Sequence, residues 1–144
     1  MSDKIHIKVG EVMTRGVCTI AGMATIEEAV ESMREKNLSS LVVERRGEND
    51  EYGLIELFDI AKNVIAENRA LERTNVYEVM TKPVMAVSAD MDISYAVRHL
   101  VRFRLTRAVV IDDTRSPIGI VTLRDMIYGQ IDHGKRVKSE VTDE

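Results

Sequence analysis

The sequence has no tryptophan, one cysteine, two prolines, and only two Phe and four Tyr. So few rings disfavour a platform of stacked aromatics of the kind that holds single-stranded nucleic acid. Aliphatic side chains and eight methionines must therefore build the core. The lone thiol, Cys18, excludes an internal disulfide and any multi-thiolate metal site. His6, His99 and His133 are scattered without ligand spacing, so no metal site is expected. No run approaches the ~18 uninterrupted apolar residues of a membrane helix. The start, Met1-Ser2-Asp3-Lys4-Ile5-His6, lacks the apolar stretch of a signal peptide. No charge sign dominates: 20 Lys and Arg against 24 Asp and Glu give a net −4, with the signs interspersed. Neither a disordered chain nor a basic polyanion binder has that balance. The expectation is a soluble protein of the cytoplasm, with no membrane partner.

A repeat organises the 144 residues. At an offset of 67, Val9, Glu11, Val12, Met13 and Thr14 fall on Val76, Glu78, Val79, Met80 and Thr81. Twelve identities occur in the 35 positions from Val9 to Val43, including Ile26 on Ile93, Ala29 on Ala96, Leu38 on Leu105 and Val42 on Val109. After a one-residue length difference, Gly53, Leu57 and Asp59 fall on Gly119, Leu123 and Asp125.

Both copies predict the same elements. Residues 17–20 and 84–87 are short β-prone runs. Thr25 is placed to cap a helix, with Glu28 three residues on, and Ile26, Ala29, Val30 and Met33 make one apolar face. Asp92 and Ile93, Ala96, Val97 and Leu100 repeat the pattern. Residues 41–43 and 108–111 read as buried strands, followed by turns rich in Gly, Asn, Asp and Pro. Further strands at 52–57 and 118–123 run directly into helices near Asp59 and Asp125. The unit is β-α-β-β-α with a short helical lead-in. One unit alone buries little surface, so the pair is the expected folding unit.

The order and duplication of these motifs resemble the CBS-domain family, whose tandem pairs are called Bateman modules. The resemblance rests on Val12-Met13-Thr14 and Val79-Met80-Thr81-Lys82-Pro83, on 38–43 and 105–110, and on 53–59 and 119–125. It implies an α/β fold of two β-α-β-β-α repeats packed as a pseudo-twofold pair. The expected boundaries are 8–66 and 76–132, with a linker at 67–75 and a polar tail at 133–144. By resemblance the module is regulatory and non-catalytic, and pairs into homodimers. Its implied ligand is an adenine nucleotide in the cleft between the repeats, AMP first, with ADP and ATP as further candidates. It requires no cofactor, and it signals to a regulated protein that the sequence does not identify.

The family's nucleotide signature is Gly, apolar, any residue, Thr or Ser, two residues, Asp. Gly119-Ile120-Val121-Thr122-Leu123-Arg124-Asp125 fits it throughout. The implied roles are a phosphate at the first helix amides and the Thr122 hydroxyl, and a ribose on the Asp125 carboxylate. Arg107, Arg124 and Thr106 border that phosphate, while Ile120 and Met85 complete the set. The first copy keeps Asp59 for ribose but has Glu56 for the hydroxyl, Phe58 for the arginine and Ser40 for Arg107. A carboxylate beside a phosphate repels it, and each lost charge-assisted hydrogen bond forfeits about 1.5–3 kcal/mol. One phosphate-competent site is therefore expected.

Plainer readings stand beside these. Asp59 and Asp125 are also favoured residues for helix starts. Cys18 reads as a small buried residue. Arg98, His99, Arg102, Arg104 and Arg107 form a basic stretch, read here as a solvated helix face rather than a nucleic-acid patch. No catalytic constellation is present in the sequence. The alternative to a nucleotide sensor is a dimeric interaction scaffold without a nucleotide ligand.

Overall fold

The structure is a computed structural model that describes residues 6–142, with side chains through residue 135. The elements run α1 (Val9–Val12), β1 (Thr14–Arg15), β2 (Thr19–Ile20), α2 (Ile26–Lys36), β3 (Ser40–Val43), β4 (Gly53–Glu56) and α3 (Leu57–Ile60). A π-helical turn (Ala61–Ile65) continues α3, and two 3-10 turns follow (Leu71–Arg73 and Val76–Glu78). The second half adds β5 (Ala86–Ser88), α4 (Ile93–Arg102), β6 (Arg107–Ile111), β7 (Pro117–Thr122) and α5 (Leu123–Thr142). The α/β architecture and the duplicated element order are those the sequence implies.

Two compact units emerge. One comprises Val17–Val84; the other joins the segment up to Gly16 to the chain from Met85 onward. In the first, β2 pairs parallel to β3 and β3 antiparallel to β4. Its core places Ile26, Ala29 and Met33 of α2 against Leu41, Val43 and Ile55. In the second, β5 pairs parallel to β6, β6 antiparallel to β7, and β7 antiparallel to β1. There Ile93, Ala96 and Leu100 of α4 meet Ala108, Val110 and Val121. The i, i+3, i+7 apolar positions read from the sequence are thus the ones that burial selects. Each fully buried Ile, Leu or Met contributes roughly 1.5–3 kcal/mol.

These units cut across the sequence repeats, because the lead-ins are exchanged. Val9 N–H donates to the Met91 carbonyl at 2.8 Å, Gly10 N–H to Ala89 at 2.9 Å, and Ile93 N–H to Ile7 at 2.8 Å. The repeat-related bonds join Val76 to Ala24 at 2.8 Å, Tyr77 to Gly22 at 2.9 Å, and Ile26 to Thr74 at 2.8 Å. Val9 and Val76 are both completely buried. Each lead-in therefore completes the core built by the other repeat.

This exchange explains the paired glycines. Thr14 and Arg15 of β1 pair with Ile120 and Gly119 of β7, and Thr81 bridges Leu54 of β4. A Cβ on Gly119 would stand 2.5 Å from the Thr14 carbonyl oxygen and 2.9 Å from the Met13 sulfur. On Gly53 it would meet the Met80 sulfur at 2.8 Å and the Thr81 oxygen at 3.3 Å. The Met-Thr of each lead-in and the Gly of each signature strand are one packing device.

Helix starts follow local chemistry. Thr25 accepts from Glu28 N–H at 3.1 Å, and Asp92 accepts from Ser94 N–H at 3.0 Å. Asn37, in the left-handed region at φ 54°, ends α2. The stretch expected as a linker contains the turn at Leu71–Arg73, and Leu71 packs on the first unit's core. α5 continues into the stretch expected as a polar tail, as far as Thr142, and residues 143–144 of that stretch lie outside the described residues. No proline interrupts that stretch, and its Lys, Arg and Glu residues are good helix formers, so Gly134 alone does not stop it.

Candidate ligand site

The second-repeat residues singled out above converge where β7 passes into α5. Arg107 and Thr122 are direct cross-strand partners, as are Val109 and Ile120. Alternation along the strands directs Ala108, Val110 and Val121 into the core, and so places Arg107, Ile120 and Thr122 on the opposite face. Leu123 N–H donates to the Thr106 carbonyl at 2.9 Å, which fixes the 105–107 turn beside the start of α5. Met85, half-buried, accepts from Val109 N–H at 3.0 Å and so lies on the neighbouring strand line. Thr106 and Arg124 are exposed; Arg107, Thr122 and Asp125 are half-buried. Seven of the eight candidate residues thus share one unit. Asp59 belongs to the other.

Thr122 and Asp125 form a reciprocal cap. Thr122 N–H donates to Asp125 Oδ2 at 3.0 Å, while Asp125 N–H donates to Thr122 Oγ1 at 3.0 Å. The arrangement satisfies two orphan amides and orients both side chains. It leaves the Thr122 hydroxyl proton uncommitted by that bond, and directs the second carboxylate oxygen of Asp125 elsewhere. It also narrows the expectation that several helix amides face a ligand. The Leu123 and Asp125 amides are used internally, so Arg124 N–H is the first-turn donor that these bonds leave over. An anion at this junction would therefore meet side chains more than free helix amides.

The first repeat has the same backbone with different chemistry. Ser40 and Glu56 are the cross-strand partners that correspond to Arg107 and Thr122. Leu57 N–H donates to the Ser39 carbonyl at 3.1 Å, matching the Leu123–Thr106 bond. Glu56 N–H donates to Asp59 Oδ2 at 3.3 Å. Burial pushes the Asp59 carboxyl above its usual range, opposed by the Glu56 amide and by Lys62. Phe58, where the second copy has Arg124, is 71% exposed. Beside the shared aspartate, this junction presents the Glu56 carboxyl, the Ser40 hydroxyl and the Phe58 ring in place of the Thr122 hydroxyl and the two guanidinium groups of Arg107 and Arg124.

Among the described residues, Arg98, Arg102, Arg104 and Arg124 make no ion pair within 4.0 Å. No group of three or more His, Cys, Asp or Glu among them is placed to hold a metal ion. No helix among them is long and apolar enough to cross a membrane. Cys18 is half-buried, precedes β2 and packs on the first unit's core. Sequence reading missed that β1 lies against the site strand, with Thr14 opposite Ile120. The duplicated Val-Met-Thr was the available signal, but its partner strand is not encoded in spacing.

A family model described as CBS domain matches residues 9–66 and 76–131. An uncharacterized protein of Methanopyrus kandleri is 32% identical over 122 residues, which cover 84% of this chain and 61% of that protein. The chain spans less than two thirds of the first curated relatives it matches, down to 24% of one. A hexameric CBS-CP12 protein from bloom-forming cyanobacteria superposes with a TM-score of 0.82 at 35% identity, covering 87% of this chain and 68% of that one. A CBS domain protein from Pyrobaculum aerophilum, complexed with AMP, shares the fold with a TM-score of 0.73 at 18% identity, covering 83% and 89%. Proteins built from such domains are generally regulatory rather than catalytic.

Proposed function

This chain belongs to the CBS-domain family, and from that premise we propose that it is a non-catalytic sensor of an adenine nucleotide, with one phosphate-competent site per chain. The junction of β7 and α5 is that site. The observation that carries the reading is the cross-strand pair Arg107–Thr122 beside the Thr122–Asp125 cap. The cap holds a hydroxyl donor and a carboxylate acceptor together, and Arg107 and Arg124 supply positive charge. Asp125 accepts from the ribose hydroxyls, while Thr122, Thr106 and the two arginines take the phosphate. AMP is the first candidate, with ADP and ATP behind it. The AMP complex of the Pyrobaculum protein supports the fold's capacity for such a ligand. In this reading the chain self-associates, acts in the cytoplasm, and relays ligand occupancy to a regulated protein.

A second reading is favoured by one observation. Both candidate ribose acceptors, Asp59 and Asp125, already cap helices, as they would in a scaffold that binds no nucleotide. Thermal melts separate the two. A ligand at a hundredfold excess over its Kd adds about 2.7 kcal/mol and raises the midpoint by about 5–10 °C. Midpoints unmoved by millimolar AMP, ADP and ATP would leave the scaffold. Calorimetric titration then counts sites: one adenylate per chain is expected, and two equivalent sites would refute the asymmetry.

A further inference from the structure

Helices α2 and α4 end with the same backbone turn on different residues. Leu38 N–H donates to the Met33 carbonyl at 2.8 Å, and Leu105 N–H to the Leu100 carbonyl at 2.8 Å. Asn37 N–H donates to the Arg34 carbonyl at 3.3 Å, and Arg104 N–H to the Val101 carbonyl at 3.1 Å. This pair of bonds calls for a left-handed residue, most often Gly and sometimes Asn. The first repeat supplies Asn37, at φ 54°, and the second Arg104, at φ 57°. An arginine has neither the freedom of Gly nor the short polar side chain that settles Asn there, so it holds the conformation at a cost. Asn37 shows that the turn itself does not need an arginine.

Arg104 also stands in a setting of charge that the first repeat lacks. It is exposed, and among the described residues it makes no ion pair within 4.0 Å. It lies two residues before Thr106, whose carbonyl the Leu123 amide ties to the start of α5. No carboxylate occurs from Ile93 through Ile111. The guanidinium groups grade outward, with Arg107 half-buried and Arg124 and Arg104 exposed. In the reading above, Arg107 and Arg124 take one phosphate, and together they balance the charge of about −2 on a phosphate monoester. Arg104 is a third cation, which that phosphate does not use.

We propose that Arg104 sets the phosphate-chain length preferred at this site, by taking the second phosphate of a nucleoside diphosphate or triphosphate. This assignment rests on the nucleotide reading above and deepens it. The order with AMP first counts the junction residues alone. Once Arg104 is added, the outer phosphate of ADP meets a cation that AMP leaves unused, and ADP binds more tightly. A guanidinium suits the task, because its planar donors can pair with two oxygens of one phosphate. In the first repeat the same turn carries Asn37, which brings no positive charge to a junction that already holds Glu56.

Calorimetric titration with AMP and with ADP, free of divalent cations, tests the assignment. The wild-type chain is expected to bind ADP about 10-fold more tightly than AMP, as one charge-assisted hydrogen bond supplies at an exposed position. Arg104→Asn should erase the preference, lowering ADP affinity about 10-fold and AMP affinity by less than about twofold. The same substitution should raise the melting midpoint of the unliganded chain, because Asn suits the left-handed region. Arg104→Lys should keep part of the preference, since it keeps the charge and loses the planar fork. Arg102→Gln removes an equal charge two residues away, and should leave the ratio of ADP to AMP affinity intact. Equal losses of both nucleotides in Arg104→Asn, or a ratio that falls as far in Arg102→Gln, overturn the assignment and leave nucleotide binding standing. So does a wild-type chain that binds ADP no more tightly than AMP, or a lowered midpoint in Arg104→Asn, which would show that the arginine serves the fold. A wild-type chain that binds neither nucleotide overturns the nucleotide reading itself.

Discussion

The first and second repeats use one backbone plan for two chemical surfaces. Both strand-to-helix junctions carry a Gly, a carboxylate cap three residues into the helix, and a bond from the first helix amide to the preceding turn. At the cross-strand position beside the cap, one has Ser40 and Glu56 and the other Arg107 and Thr122. The helices α2 and α4 repeat the contrast where they end, in Asn37 and Arg104. Duplication conserved what the fold needs, namely buried faces, caps and close approaches. It left the exposed and half-buried polar positions free to diverge, since changes there cost little stability.

The largest effect should break the packing side of this comparison. Gly119→Ala forces a Cβ against backbone at Thr14, whereas Gly53→Ala presses chiefly on the flexible end of Met80. Overpacking costs about 1–3 kcal/mol, so Gly119→Ala should fall near the top of that range and Gly53→Ala near the bottom. Chemical denaturation of both variants measures the gap. Equal losses would show that the lead-in contact at Gly119 relaxes as easily as the one at Gly53.

Next in size is the ligand comparison. Asp125→Ala is expected to weaken adenylate binding by about 10- to 100-fold, in keeping with the loss of charge-assisted hydrogen bonds. Asp59→Ala should leave that affinity nearly unchanged. Each removes a helix cap contact worth about 1 kcal/mol, so titrations belong at temperatures where both variants are folded. Equal losses of affinity would mean that both junctions hold nucleotide.

The smallest effect concerns pH and the first unit alone. The Asp50 carboxylate accepts from Lys82 Nζ at 2.6 Å, and that bond, with the Arg46 amide, holds its pKa well below the usual carboxylate range. A depressed carboxylate contributes stability that is present above its unfolded pKa and lost as pH falls through its folded value. Acid should therefore destabilise the wild-type chain progressively below about pH 4. Asp50→Asn should flatten that slope by lowering stability at neutral pH, where the wild-type carboxylate is ionised, and should converge with the wild type in acid. Asp59 acts in the opposite sense. Its raised pKa makes the ionised form unfavourable, so its contribution improves as pH falls toward the unfolded value.

Much of this molecule is legible in its sequence. The spacing Ile26, Ala29, Met33 and its copy Ile93, Ala96, Leu100 marks the buried helix faces. Thr25 and Asp92 mark the caps, and the contrast between Glu56 and Thr122 marks the chemical inequality of the junctions. Two things were not legible. One is the helical run of α5 beyond residue 132, because that polar stretch carries no periodic apolar signal in the sequence. The other is the Thr122–Asp125 cap, which the sequence shows only as a competing role for Asp125. In the structure it orients both side chains and occupies the Asp125 amide, while the Thr106 carbonyl takes the Leu123 amide.

With few aromatics and one thiol, the chain by itself determines an aliphatic α/β repeat whose chemistry lies in hydroxyls, carboxylates and guanidinium groups. Periodicity, caps and turns are local properties, so spacing alone encodes them. Which lead-in completes which core, why a side chain would be crowded at Gly53 and more so at Gly119, and which residues face each other across β6 and β7 were decided by the tertiary structure. Those pairings join segments far apart in the chain. They are selected by close packing and by hydrogen bonding between distant strands, which no local pattern specifies.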